Sequence, residues 1–263
     1  MPTTFKVNND MITSKRHADI LEMVREQGYV SVEKMAHRFA VTPQTIRRDI
    51  NQLGNEGFLR RYHGGAGITS STENLAYKTR QILCQAEKSR IARLLTEHIP
   101  DKSSIFINIG TTTEEVAKHL SNKKELRVIT NNLHVAATLF DHDNIDVIVA
   151  GGPVRSRDGG ITGDATIDFI NQFKVDYGII GISGIDNDGT LLDFDYNEVR
   201  VAKTIIANSR NVYLAADHSK FERNAMVCLC HLSEITALFT DQLPPADILE
   251  ILNNSNVSLH VAE

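Results

Sequence analysis

The chain has 263 residues, of which 41% are hydrophobic and 23% charged, with 16 Gly, 6 Pro and 3 Cys. That balance excludes collagen-like, disordered and disulfide-stapled chains, and the length allows about two domains. The formal net charge of −5 divides unevenly: residues 1–70 carry 10 Lys and Arg against 7 Asp and Glu, and the remainder carry 18 against 26. A mildly basic head on an acidic body suits nucleic-acid contact through the head alone. No apolar run approaches the ~18 residues needed to span a bilayer. Residues 1–15 lack the apolar core of a secretory signal. Cys84, Cys228 and Cys230 are too few for a disulfide framework. A reduced, cytoplasmic protein without membrane attachment is expected.

The head begins with three amphipathic segments. Residues 15–27 place Ile20, Leu21 and Val24 on one face and stop at Gly28. Ser31 is a good N-cap for a second helix whose apolar residues Val32, Met35, Ala36 and Phe39 follow helical spacing. Thr42-Pro43 opens a third, with Ile46, Ile50 and Leu53 as its inward stripe. Only residues 40–42 separate the second and third helices, so the pair must cross steeply as a helix-turn-helix. Gln44, Thr45, Arg47, Arg48 and Asn51 then face solvent or the flanks. Such side chains suit base edges and phosphates in a major groove. The apolar-basic run at 57–66, turning at Gly64-Gly65, predicts a β-hairpin wing. Periodicity alone leaves a protein-interaction unit with a solvated arginine face equally open.

Residues 68–74 are polar and Ser/Thr-rich, as linkers are. Beyond them, residues 87–98 predict a helix, and short apolar runs then recur, each ending in small polar residues: Gly110-Thr111-Thr112-Thr113, Thr130-Asn131-Asn132, Gly151-Gly152, Ser183-Gly184-Ile185-Asp186 and Asp217-His218-Ser219-Lys220. The pattern predicts an α/β domain whose strands are buried on both faces of a largely parallel sheet, with the tips as a pocket rim. At Gly110–Thr113 the backbone amides, hydroxyls and positive helix end favour an anion, although any capped helix start needs a similar turn. Asp217-His218-Ser219-Lys220 holds triad residue types, but sequence neighbours rarely point at one another. Lys220 fits better as a cation for an anionic ligand. Asp186-Asn187-Asp188-Gly189 lacks an acidic first ligand for calcium and reads as a turn. Cys228 and Cys230 alternate with apolar residues and could share a strand face, yet one further Cys is not enough for structural zinc. No metal site and no catalytic residue is expected.

The string TPQTIRRD and the RRYHGG wing resemble the winged helix of DeoR-type transcriptional regulators. Thr42, Thr45, Ile46, Arg47, Arg48, Asp49, Arg61, His63, Gly64 and Gly65 match its pattern, with Ile50 in place of the usual Leu. GTTT, TNN, Gly151-Gly152 with Arg155, GISGID and DHSKF resemble that family's sensor domain, which is similar to the phosphosugar-isomerase and CoA-transferase folds. The strings at 155–160 and 192–200 are most like the branch that represses glycerol 3-phosphate metabolism genes. The resemblance implies a winged helix-turn-helix at 13–68 (helix-turn-helix at about 30–49), a linker at 69–84 and a phosphosugar-sensing domain at 85–263. It further implies a repressor that grips double-stranded operator DNA through Gln44, Thr45, Arg47, Arg48, Arg61 and His63. Glycerol 3-phosphate, or another sugar phosphate, would release it, without any cofactor. Gly110, Thr111, Thr112 and Lys220 would cradle the phosphate, with Asn132, Gly152, Arg155, Asp186 and Asp195 at the rim. One winged helix makes a small interface, so a homo-oligomer, dimer or tetramer, is expected. The rival expectation is a phosphosugar isomerase, for which Asp186 or Asp195 would have to serve as base or acid.

Overall fold

The computed structural model describes residues 7–55, 58–62, 64–67 and 77–263. The chain divides into two compact units, Met1–Ser70 and Ser71–Glu263.

In the first unit, α1 (Val7–Gln27) leads into β1 (Tyr29–Ser31), α2 (Val32–Phe39), α3 (Pro43–Asn55), β2 (Arg60–Tyr62) and β3 (Gly65–Gly67). The side chain of Ser31 caps α2 by accepting from Lys34 N at 3.2 Å. Ala40 then turns the chain in the left-handed region at φ 52°. Ile20, Val24, Met35, Ile46, Ile50, Leu53 and Leu59 form the core, so the stripes expected from sequence meet one another. The wing hairpin pairs β2 with β3. A third strand, β1, joins on the other side of β3; three residues without clear alternation gave no sequence signal. That pairing requires glycine at 65, where a Cβ would lie 2.3 Å from the Val30 carbonyl oxygen.

The second unit opens with α4 (Tyr77–Ile82), which lies inside the stretch expected to be linker. There follow α5 (Gln85–Glu97), β4 (Ser104–Ile107), α6 (Thr111–His119), β5 (Leu126–Thr130), α7 (Leu133–Leu139), β6 (Ile145–Val149), α8 (Asp164–Ile170) and β7 (Val175–Ile180). Next come β8 (Gly184–Ile185), β9 (Thr190–Asp193), α9 (Tyr196–Ala207), β10 (Ser209–Ala215), β11 (Val227–His231), β12 (Ala237–Thr240), α10 (Ala246–Asn254) and β13 (Ser258–Val261). Among the described residues, seven strands form one sheet in the order β13-β12-β10-β7-β4-β5-β6. Every pairing within it is parallel. Side chains alternate between two cores: Ile105, Ile107, Val128 and Ile179 pack on one face, and Phe106, Ile129 and Ile180 on the other. Burial on both faces is what makes these strands read as continuous apolar runs.

A small antiparallel sheet, β11-β9-β8, sits apart from the main one. The Asp186–Gly189 turn joins β8 to β9, with Gly189 N donating to the Asp186 carbonyl at 3.0 Å. The register of β11 slips between Cys228 and Cys230. That bulge breaks the expected alternation, and Cys228 is exposed while Cys230 is buried. Among the described residues, no helix is long and apolar enough to cross a membrane.

Candidate functional site

The outward face of α3 is set by its inward one. Ile46 and Ile50 are buried, which turns Gln44, Arg47, Arg48 and Asn51 to solvent and leaves Thr45 half-buried. Thr42 caps the helix, its Oγ1 accepting from Thr45 N at 3.2 Å, and the two hydroxyls lie 2.9 Å apart. Asp49, between the arginine pair and the core, is itself buried. It accepts a two-pronged bond from Arg16 of α1, at 2.6 and 3.1 Å, and lies 3.3 Å from His17 Nε2. Hydrogen bonding to Asp49 raises the Arg16 pKa, so the guanidinium stays charged. This carboxylate ties α3 to α1. On the wing, Arg61 is exposed and donates to Asn51 Oδ1 at 3.2 Å. That bond couples wing and helix into one polar surface. His63 lies outside the described residues.

In the second unit, sheet order decides which strand tips meet. β4 lies between β5 and β7, and β10 lies beyond β7. The tips of β4, β7 and β10 therefore converge. They line a cleft with Gly110, Thr111, Thr112, Gly181, Ser183 and Lys220. Gly110 precedes α6 at φ +153°, and no side chain caps the helix. Thr113 holds the turn from beneath, its Oγ1 donating to the Asn108 carbonyl at 2.7 Å. The first amides of α6 are thus left for an acceptor from outside, with the helix dipole behind them.

Lys220 brings a cation into the same cleft. Its Nζ makes no hydrogen bond or ion pair with another described residue. Burial lowers its pKa to about 8; the pull of Asp217 opposes the shift, and repulsion from Arg223, Lys88 and Arg80 adds to it. Arg80 of α4 also lines the cleft, as do two carboxylates, Asp193 and Glu198. Burial raises the pKa of both, and the pair repel one another. Asp193 accepts from Ser183 Oγ at 3.0 Å, and Glu198 pairs with Arg155 at 2.8 Å. The cleft thus holds cations and acceptors together, with Arg80 near enough to both carboxylates to oppose the rise in their pKa. A small molecule carrying an anionic group and hydroxyls matches that lining.

At the β10 tip, Ser219 bonds to Asp217, and His218 pairs with Asp241 at 2.7 Å. Donor atoms of Cys84, Asp217 and His218 lie within 4.8 Å of one another. The ammonium groups of Lys88 and Lys220 already balance Asp217 and hold its carboxyl below the ordinary range despite burial.

Residues 16–72 match the DeoR-like helix-turn-helix domain, and residues 83–242 match the DeoR C terminal sensor domain. The chain belongs to the DeoR family. It is 50% identical over 95% of its length to the "Glycerol-3-phosphate regulon repressor" of Escherichia coli (strain K12), and covers 100% of that protein. The protein of the same name in Haemophilus influenzae is 47% identical, with 89% of this chain and 91% of that one aligned. The E. coli "HTH-type transcriptional repressor CsqR" is 41% identical over 95% of this chain and 96% of its own. Among solved structures, ribose 5 phosphate isomerase A from Neisseria gonorrhoeae aligns at TM-score 0.38 and 18% identity, over 51% of this chain and 52% of that one. That fit is too loose to transfer any site.

Of the residues singled out from this DeoR-family sequence, Gly110, Thr111, Thr112 and Lys220 come together in the cleft. The others do not line it. The side chain of Asn132 is spent capping α7, accepting from His134 N at 2.9 Å, and donating to Glu114 at 3.1 Å. Gly152 follows β6, two strands away from β4. Asp186 sits in the β8–β9 turn, where it accepts from Asn187 N at 2.8 Å. Asp195 caps α9 by accepting from Asn197 N at 2.9 Å and binds Arg155 at 3.1 Å and Arg157 at 2.6 Å. Arg155 reaches the cleft through Glu198 and through Asp158, which also binds Arg80. Sequence reasoning missed Arg80, Asp193 and Glu198. Asp193 and Glu198 flank Asp195 within the same LDFDYNE string, which is the sequence signal that could have found them. Arg80 gave no signal at all.

Proposed function

We propose that this DeoR-family chain represses glycerol 3-phosphate metabolism genes and leaves its operator when glycerol 3-phosphate occupies the cleft. The exposed Gln44, Arg47 and Arg48, with Thr45 beside them and Arg61 on the wing, enter and flank a major groove; the family resemblance adds His63 as a DNA contact. The phosphate sits on the α6 amides and the Thr111 and Thr112 hydroxyls, with Lys220 in the same cleft. Asp193 and Glu198 accept from the glycerol hydroxyls. The observation that carries this reading is an uncapped helix end sharing a cleft with Lys220, whose ammonium group makes no hydrogen bond among the described residues, in a chain so similar along its whole length to named glycerol-3-phosphate regulon repressors. The working form is a cytoplasmic homo-oligomer, because paired heads on repeated half-sites supply the specificity one head lacks.

Release requires the effector to favour the DNA-incompetent arrangement, by about 1–3 kcal/mol on the usual scale of such coupling. Fluorescence anisotropy on a duplex from a glycerol-metabolism promoter tests both halves. Tight binding, weakened by glycerol 3-phosphate, is expected. An isotherm indifferent to the metabolite refutes the effector, and absence of binding refutes the repressor. Thr111→Val, which removes one donor from the cradle while keeping its shape, is expected to blunt the response to glycerol 3-phosphate.

A further inference from the structure

One wall of the cleft comes from a segment that neither domain match contains. The helix-turn-helix match ends at 72 and the sensor match begins at 83, yet Arg80 on α4 lines the cleft beside Thr111, Thr112 and Lys220. We propose that Arg80 is a binding residue for the anionic group of the effector, and that α4 senses its arrival. This rests on the reading of the cleft given above.

Three observations support it. First, α4 is fastened to the anion site itself. The Arg80 carbonyl accepts from Thr111 Oγ1 at 3.3 Å and from Lys88 Nζ, and Tyr77 donates to Glu114 of α6 at 2.7 Å. Second, Asp158 does not depend on Arg80. The Arg80 bond to Asp158 is long, 3.5 Å, while Arg155 holds Asp158 by two bonds of 3.1 and 2.8 Å. If Arg80 leaves, Asp158 remains paired. Third, the Thr111 hydroxyl has one proton. An oxyanion on the α6 amides competes for it with the Arg80 carbonyl, so occupancy of the site alters both side-chain and backbone links to α4. In chain order, α4 is the first described element of the second unit.

Isothermal titration of the full chain with glycerol 3-phosphate, and separately with inorganic phosphate, tests the proposal against R80A, R80Q and R80K. R80A and R80Q are expected to weaken glycerol 3-phosphate binding by ~10- to 100-fold, the loss of one charge-assisted fork. R80K should recover part of the loss, since it keeps the charge without the paired geometry. Inorganic phosphate should suffer the same proportional loss, because the contact is to the anion. Circular dichroism melts identify any variant that fails to fold, and the remaining variants then decide. Parent-like affinity in folded R80A or R80Q overturns the inference while leaving the cleft intact. A parent that binds neither ligand overturns the reading of the cleft instead.

Discussion

Lys220 is held charged where burial opposes charge, and replacing it exposes that conflict. Its pKa of about 8, against an ordinary 10.5, corresponds to about 3 kcal/mol of unfavourable charging at ~1.4 kcal/mol per pH unit. The side chain is only half-buried, and its removal takes one of two cations from Asp217, so a net gain of about 1–2 kcal/mol is the realistic expectation for Lys220→Met. The sign follows from proton binding. Between about pH 8 and 10.5 the unfolded chain holds this proton and the folded chain does not, so the parent gains stability as pH rises through that window. The advantage of Lys220→Met should therefore be complete at pH 7 and vanish by about pH 10. Urea unfolding at a series of pH values measures it. The same titration predicts that glycerol 3-phosphate binds the parent more weakly as pH rises through 8, and that binding below full protonation takes up a proton. A Met variant less stable than the parent at pH 7, with an unchanged denaturant slope, would refute the reasoning, because the ammonium group would then be stabilised more by Asp217 than it is penalised by burial.

Other outcomes follow from the head. Asp49→Ala leaves Arg16 without its two-pronged partner and should cost about 2–4 kcal/mol, read as an earlier thermal transition of the first unit. Arg47→Ala should weaken operator binding by about 1–3 kcal/mol and relax sequence preference; anisotropy on specific and scrambled duplexes separates a base contact from uniform loss. Gly65→Ala drives a Cβ into the Val30 carbonyl and should destabilise the wing by about 1–3 kcal/mol, visible as lost protection of β1 amides in hydrogen exchange.

The head was legible because its signals are local. Helical spacing of Val32, Met35, Ala36 and Phe39 and the stripe of Ile46, Ile50 and Leu53 depend on neighbours within two turns, and the core they form is the expected one. What escaped was β1, a three-residue strand that exists only because β3 can pair with it through Gly65. Asp49 was visible as part of a motif, but its partner lies 33 residues earlier on α1, a distance no periodicity reports. In the body, the strand runs and their polar tips were legible for the same local reason, while α4, six residues docked by long-range bonds, was indistinguishable from linker.

By itself, the sequence determined two modules and the chemistry each could offer: an arginine-bearing helix backed by isoleucine and leucine, and a set of polar tips on buried strands. Only the tertiary structure decided which tips share a site. Parallel neighbours lie ~4.8 Å apart, so placing β4 next to β7, with β10 beyond it, brings Thr111 within reach of Lys220 and leaves Gly152 on the far side of β5. Strand order is set by long crossover connections and packing on both faces of the sheet. Chemically similar loops give no local sign of it.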